Sequence, residues 1–194
     1  MNQCPACNST SFPLEQYPDL GIQICKACQY PLLATQNNSM FTVFGIKRNF
    51  LINESDLQDR YYFLSRRLHP DRYVSLSSEH KASSQKLSAL LNQSYLKLLD
   101  KESRLETLLT ESGMEIKNSN SEIPTELAER FFDIQEELIE NRNDLSESKV
   151  KKFSSELHTK EKEMREEIFE LANMNWEKPE PSVVEKIIKL RRGR

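Results

Sequence analysis

The clearest pattern along the chain is a run of apolar residues at Leu57, Tyr61, Leu64 and Leu68, spaced by four, three and four, which draws one apolar face of a helix. Asn53 stands before this run with Glu54 and Asp56 after it, a side-chain cap followed by acids at the positive end of the helix dipole. The helix must end at His69, because Pro70 lacks an amide donor and disfavours helical geometry in the residue before it. A second helix is predicted from about Ser78 to Asp100, with Leu87, Leu91, Ser94, Tyr95 and Leu98 on one stripe and Lys81, Gln85, Lys86 and Lys97 outside it. The two make an antiparallel hairpin whose exposed tip carries His69-Pro70-Asp71-Arg72. Before it, Met40 to Ile46 is a short apolar segment behind a polar break at residues 36–39, which sets a boundary near 38.

Beyond a polar, proline-ended stretch at 119–124 the pattern is helical again, with Thr125 as a predicted cap. Leu127, Phe131, Ile134 and Leu138 form one stripe, and Val150, Phe153, Leu157, Met164, Ile168 and Leu171 a second. Val183, Val184, Ile187, Ile188 and Leu190 form a third after the Pro179-Glu-Pro181 break. Three amphipathic helices sharing apolar faces predict a bundle. Phe132 falls beside its stripe, which suits either the edge of the core or an exposed anchor for a partner. The charged run from Ser146 to Glu167 reads as a solvated helix face. The expected fold is mainly α: a small metal-bound knuckle module over 1–38, a helical hairpin domain over 39–112 and a C-terminal three-helix bundle over 113–194.

Composition narrows the classes. The chain has 194 residues, 37% hydrophobic and 29% charged, only four glycines and a mean hydropathy of -0.67. No stretch approaches the ~20 apolar residues of a membrane span, and the first fifteen residues lack the basic and apolar regions of a secretory signal. A cytoplasmic protein with no membrane partner is expected. The net charge of -3 gives no long-range field for nucleic acid, and by count only residues 39–112 are net positive, with eleven bases against nine acids. Electrostatic recognition is therefore expected from a local patch on that segment.

All four cysteines fall within the first 28 residues, as Cys4-Pro-Ala-Cys7 and, seventeen residues on, Cys25-Lys-Ala-Cys28. Two residues between paired cysteines form a knuckle that aims both thiolates at one ion, and two knuckles give the closed tetrahedral sulfur shell of a structural zinc site. An iron centre of the rubredoxin type uses similar ligands and stays open, whereas a reducing compartment argues against disulfides. Residues 1–35 are too few to bury a core, so the metal would hold them folded. From Gln16 to Tyr30 there are one Lys and two Tyr, too few for a nucleic-acid grip. His69, His80 and His158 have no catalytic neighbours in the sequence, and no glycine loop for phosphate occurs. An enzyme is not expected.

His-Pro-Asp alone should occur by chance in ~2% of chains of this length. Its setting is more specific. Phe41-Thr-Val-Phe44-Gly45-Ile46, the helix ending Arg66-Arg67-Leu68, the tip His69-Pro70-Asp71-Arg72 and Leu90-Leu91-Asn92-Gln93-Ser94-Tyr95 together resemble the J-domain of DnaJ-type co-chaperones, and more narrowly the HscB family of iron-sulfur cluster assembly. Asp100 to Leu109, Glu111 to Ile116, Leu127 to Leu138 and Lys189-Leu190-Arg191 continue the resemblance, which covers about residues 40–192.

The four-cysteine module resembles the N-terminal extension of animal-type members. The resemblance implies that His69, Pro70, Asp71 and Arg72, with Arg60, Arg66 and Arg67, meet the ATPase module of a DnaK/HscA-type chaperone. It implies that Ala128, Phe132, Asp133, Glu136 and Arg191 meet an IscU-type scaffold protein. Ala128 is smaller than the leucine the family has there, and Arg192 stands where an aromatic is usual. A generic J-protein with other clients and a zinc-ribbon nucleic-acid protein are the alternatives.

Overall fold

A computed structural model of the chain describes residues 3–10, 16–34, 39–113, 129, 132–133, 136 and 147–192. The chain divides into two compact units, residues 1–114 and 115–194.

In the first unit, β1 (Ile22–Ile24) pairs antiparallel with β2 (Pro31–Leu33), Ile22 opposite Leu33 and Ile24 opposite Pro31. After the single turn α1 (Met40–Val43) come α2 (Glu54–Leu68), a 3-10 turn over Pro70–Tyr73, α3 (Ser78–Leu99) and α4 (Lys101–Glu111). Asn53 caps α2 as its sequence predicts, its side-chain oxygen accepting from the Asp56 amide at 3.1 Å. Ser77 caps α3 and Asp100 caps α4.

The predicted stripes face inward. Leu57, Leu64 and Leu68 of α2 and Leu87, Leu91 and Leu98 of α3 are all buried, the two helices pack on each other, and Tyr61 stacks on Tyr95 with ring centroids 4.2 Å apart. Long α3 is the shared wall, against which α1, α2, α4, β2 and the 3-10 turn all pack. Arg104, 2% exposed, closes the far end of the hairpin. Its guanidinium donates to the carbonyls of Leu98 at 2.6 Å, Leu99 at 3.2 Å and Phe50 at 2.8 Å, so it satisfies acceptors that the end of α3 leaves open.

In the second unit, α5 (Glu147–Ala172) packs on α6 (Pro181–Arg192). Ile168, Ala172, Trp176, Val184 and Ile187 are buried together, and the Trp176 indole donates to the Ala172 carbonyl at 2.7 Å. Pro181 opens α6, where its missing donor is no loss. Leu127, Phe131, Ile134 and Leu138, the stripe expected of the first bundle helix, lie outside the described residues, as do Thr125 and the side chains of Val150 and Phe153. Among the described residues, no helix is long and apolar enough to cross a membrane.

Candidate functional site

The two knuckles have the same backbone. In the first, the Cys4 amide donates to Ser9 at 2.9 Å and the Asn8 amide to the Cys4 carbonyl at 2.8 Å. In the second, Cys25 donates to Tyr30 at 2.9 Å and Gln29 to Cys25 at 2.8 Å. Each turn closes with a left-handed residue, Asn8 at φ 59° and Gln29 at φ 64°. Thus all four sulfurs converge within 4.8 Å of one another, with Cys4 and Cys28 at 3.5 Å and Cys7 and Cys25 at 3.6 Å. A tetrahedron of thiolates at ~2.3 Å from a central ion has edges of about 3.8 Å, so the cluster is already shaped for a metal, while a disulfide would need sulfurs at ~2.05 Å.

The thiols differ in acidity. Burial raises Cys25, but the amides of Cys28 and Ala27 and the thiols of Cys7 and Cys28 stabilise its anion and bring it down to about 7. Burial also raises Cys28, against the Tyr30 amide, and there the thiols of Cys7, Cys4 and Cys25 add to burial and it is pushed up to about 12. Metal binding needs all four as thiolates, so it releases the protons that the thiols carry.

The second knuckle is fastened to the hairpin. His80 of α3 shares a hydrogen bond with the Cys28 carbonyl at 3.1 Å through Nε2 and with Ser77 Oγ at 2.7 Å through Nδ1, while its ring meets Tyr30 edge-on. Ser83 Oγ donates to the Pro31 carbonyl at 2.6 Å. Lower on the seam, the Gly21 amide donates to the Thr42 carbonyl at 2.9 Å, and a Cβ on Gly21 would lie 2.4 Å from that oxygen. Gly45 stands at φ 61°, where a Cβ would lie 2.5 Å from the Asp19 carbonyl oxygen. Backbone thus lies directly on backbone across a boundary that composition puts near residue 38.

At the hairpin tip, His69 and Asp71 are exposed, with side chains 59% and 84% accessible and His69 Nδ1 3.5 Å from Asp71 Oδ2. His69 Nδ1 accepts the Asp71 amide at 3.4 Å and so caps the 3-10 turn that Pro70 begins. The tip is held from behind. Ser84 and Ser88 of α3 donate to the Leu68 carbonyl at 2.7 and 2.9 Å, and buried Tyr73 donates to the Arg67 carbonyl at 3.0 Å. A carbonyl orphaned by the end of α2 is thereby satisfied twice, and the turn leaves the helix in a fixed direction.

The four arginines divide. Arg66 and Arg72 are exposed. Arg67 lies over the Phe63 ring at 3.5 Å, and burial followed by the nearness of Arg72 lowers its pKa. Arg60, expected as a docking charge, is turned inward instead: its side chain is 14% exposed and donates to Asp56 at 2.9 Å, Asp19 at 3.2 Å and the Phe44 carbonyl at 2.9 Å. Its charge is balanced inside the molecule, against an acid 41 residues away that a count of helix faces does not see.

In the second unit, Phe132, Asp133 and Glu136 are helical and exposed, Phe132 at 65%, and Arg191 is half-buried on α6. Ala128 lies outside the described residues. The sequence pattern sets His80 aside as one of three scattered histidines and does not single out Ser83, Ser84, Ser88 or Trp176. Of these only Trp176 gave a signal, as the sole tryptophan of the chain.

No family model matches the chain. It is 31% identical over 78 residues to the co-chaperone protein HscB of Proteus mirabilis, covering 40% of this chain and 45% of that one. It is 32% identical over 77 residues to the HscB homologue of Chromobacterium violaceum, covering 40% and 44%. With the human iron-sulfur cluster co-chaperone protein HscB it shares 31% over 145 residues, 74% of this chain and 59% of that one. The matched stretch thus spans about half the length of these curated relatives. Among solved structures, human HscB superposes with a TM-score of 0.65 at 24% identity over 99% of this chain and 93% of its own. HscB from Vibrio cholerae does so at 0.52 and 21% over 79% and 90%. In sequence the chain is thus similar to curated HscB co-chaperones and in fold to two HscB structures, and it carries a four-cysteine cluster near its N-terminal end.

Proposed function

We propose that the protein is a J-type co-chaperone of iron-sulfur cluster assembly, which stimulates the ATPase of a DnaK/HscA-type chaperone and presents an IscU-type scaffold protein to it. The observation that carries this reading is the tip His69-Pro70-Asp71, exposed yet fixed by two serines and a buried tyrosine behind it. A loop already ordered loses little conformational freedom on docking, and the exposed cations Arg66 and Arg72 beside it favour rapid, salt-sensitive encounter with an acidic surface. Phe132, Asp133 and Glu136 give the second unit an exposed aromatic flanked by carboxylates, the composition of a binding patch; Ala128 and Arg191 belong to the same proposed surface. The chain itself does no catalysis in this reading.

We propose that the four-cysteine cluster holds one Zn²⁺ as a structural ion. Four thiolates at these separations suit it, and a filled sulfur shell leaves no position for water. The module then serves to hold the N-terminal residues against the hairpin.

The adaptor reading is tested by separating its two surfaces. His69→Ala or Asp71→Ala should abolish stimulation of chaperone ATP hydrolysis while scaffold binding is unchanged. Phe132→Ala should weaken scaffold binding at least tenfold, as loss of a hot-spot aromatic does, and leave stimulation by the free co-chaperone intact. If both variants weaken both activities equally with the fold preserved, the reading fails.

A further inference from the structure

The four sulfurs are arranged in pairs. Both hydrogen bonds among the thiols run between the knuckles, Cys4 with Cys28 at 3.5 Å and Cys7 with Cys25 at 3.6 Å, across 24 and 18 positions of sequence. Bonded disulfide sulfurs lie ~2.05 Å apart, so each pair is about 1.5 Å short of a bond. The pairs differ in access. Cys7 is exposed, whereas Cys4 and Cys25 are buried, with Cys28, Tyr30 and Leu32 packed against them. An oxidant arriving from solvent therefore meets the Cys7 sulfur first, and the thiol facing that sulfur belongs to the other knuckle.

We propose that the cluster is a site of reversible oxidation by hydrogen peroxide, in which Cys7–Cys25 and Cys4–Cys28 disulfides take over from a bound ion as the tie between the knuckles. In the first step the Cys7 thiolate attacks one peroxide oxygen, the O–O bond breaks, and Cys7 becomes a sulfenic acid with release of hydroxide. The Cys25 thiolate then attacks the Cys7 sulfur, so that an S–S bond forms, the S–O bond breaks and a second hydroxide leaves. The two sulfurs have lost two electrons and the peroxide has gained them. The shell has then lost two of its four ligands, and Cys4 and Cys28 pair by the same two steps with a second peroxide.

Topology separates this crossed pairing from its rival. Bridges from Cys4 to Cys7 and from Cys25 to Cys28 would close each knuckle on itself, break both existing sulfur contacts and leave no bond across. Crossed bridges close the longer loops, which restricts the unfolded chain more. They also spare the attachments of the second knuckle, because His80 holds the Cys28 carbonyl and Ser83 the Pro31 carbonyl through backbone oxygen and not through sulfur. The oxidised module thus keeps its seat on α3 without an ion, and thiol exchange in a reducing compartment returns the four thiols. The inference depends neither on the co-chaperone reading nor on which ion the cluster holds.

The test treats the full-length, metal-loaded chain with hydrogen peroxide and follows free thiols, released metal, disulfide positions by mass spectrometry and amide exchange. Free thiols should fall from four to none as the metal is released. The bridges should map to Cys7–Cys25 and Cys4–Cys28, β1–β2 and the first turns of α3 should stay protected, and dithiothreitol with added metal should restore the starting state. Cys7→Ser should slow thiol loss at least about tenfold, since the sulfur open to solvent is gone. If that variant holds metal too weakly to compare, the mapping of the unaltered chain decides. Bridges within the knuckles, loss of β1–β2 protection, or sulfinic acids that dithiothreitol does not reverse would each overturn the proposal, as would thiols and metal that persist at peroxide concentrations sufficient to oxidise free cysteine.

Discussion

The two cysteine knuckles are copies of one turn embedded in different surroundings. Both use two intervening residues, the same pair of backbone bonds and a left-handed residue to close. The first turns back on itself at Ser9 and meets the second through sulfur, and its Cys7 is exposed. The second leads into the β1–β2 pair and hands the Cys28 carbonyl to His80 and the Pro31 carbonyl to Ser83. Spacing makes a metal ligand. Embedding decides whether that ligand also holds up the rest of the fold.

The largest difference should come from the ligands themselves. Cys25→Ser is expected to lose the metal held by the cluster and to remove hydrogen-exchange protection from both β1–β2 and the first turns of α3, since binding energies of order 10 kcal/mol in such shells are folding energies. Cys7→Ser should weaken the metal yet leave the seam with α3 protected. Equal losses in both variants, by elemental analysis and amide exchange, would break the contrast between the knuckles. The same experiment has a pH sign. The metal needs thiolates, and burial raises the Cys28 thiol above its ordinary range, so affinity must fall as pH is lowered, with protons released on binding.

A smaller but still severe effect is expected at the glycine seam. Gly45→Ala combines a disfavoured left-handed backbone, ~1–2 kcal/mol, with a Cβ 2.5 Å from Asp19 oxygen, and should cost more than about 2 kcal/mol in thermal or denaturant melting of the first unit. A neutral result would mean that the module does not pack on the hairpin in solution.

The smallest effect sharpens the comparison most. His80→Ala removes the bond to the Cys28 carbonyl and the edge contact with Tyr30, and should cost about 1–2 kcal/mol. It should raise exchange in the second knuckle while the first is unaffected.

What could be read from the sequence was what repeats locally. The stripes of α2 and α3 are visible because a period of 3.6 writes burial into neighbouring positions, and Leu57, Leu64, Leu68, Leu87, Leu91 and Leu98 are all buried as that period requires. The sulfur cluster is visible because both knuckles are short-range turns. Of the two left-handed residues, Asn8 has a side chain that favours that region, while Gln29 has none and is held there by its knuckle. The contacts joining the parts were not visible. Gly21 on Thr42, Ser84 and Ser88 on Leu68, His80 on Cys28 and Arg60 on Asp19 each link residues 16 to 52 positions apart, and no spacing rule marks them. Strands of three residues are too short to show alternation, which is why β1 and β2 emerge only with the fold.

The attachment of the second knuckle to α3 also sets an order of events during synthesis. Cys28 precedes His80, and Pro31 precedes Ser83, by 52 residues each. At ~5–20 residues per second, a ribosome takes about 3 to 10 s to add them, whereas short hairpins close in microseconds. Both knuckles therefore leave the ribosome seconds before the helix that anchors the second one exists. For that interval the four cysteines precede their brace, so an ion held by the cluster would be captured first and the wall that braces it would arrive afterwards.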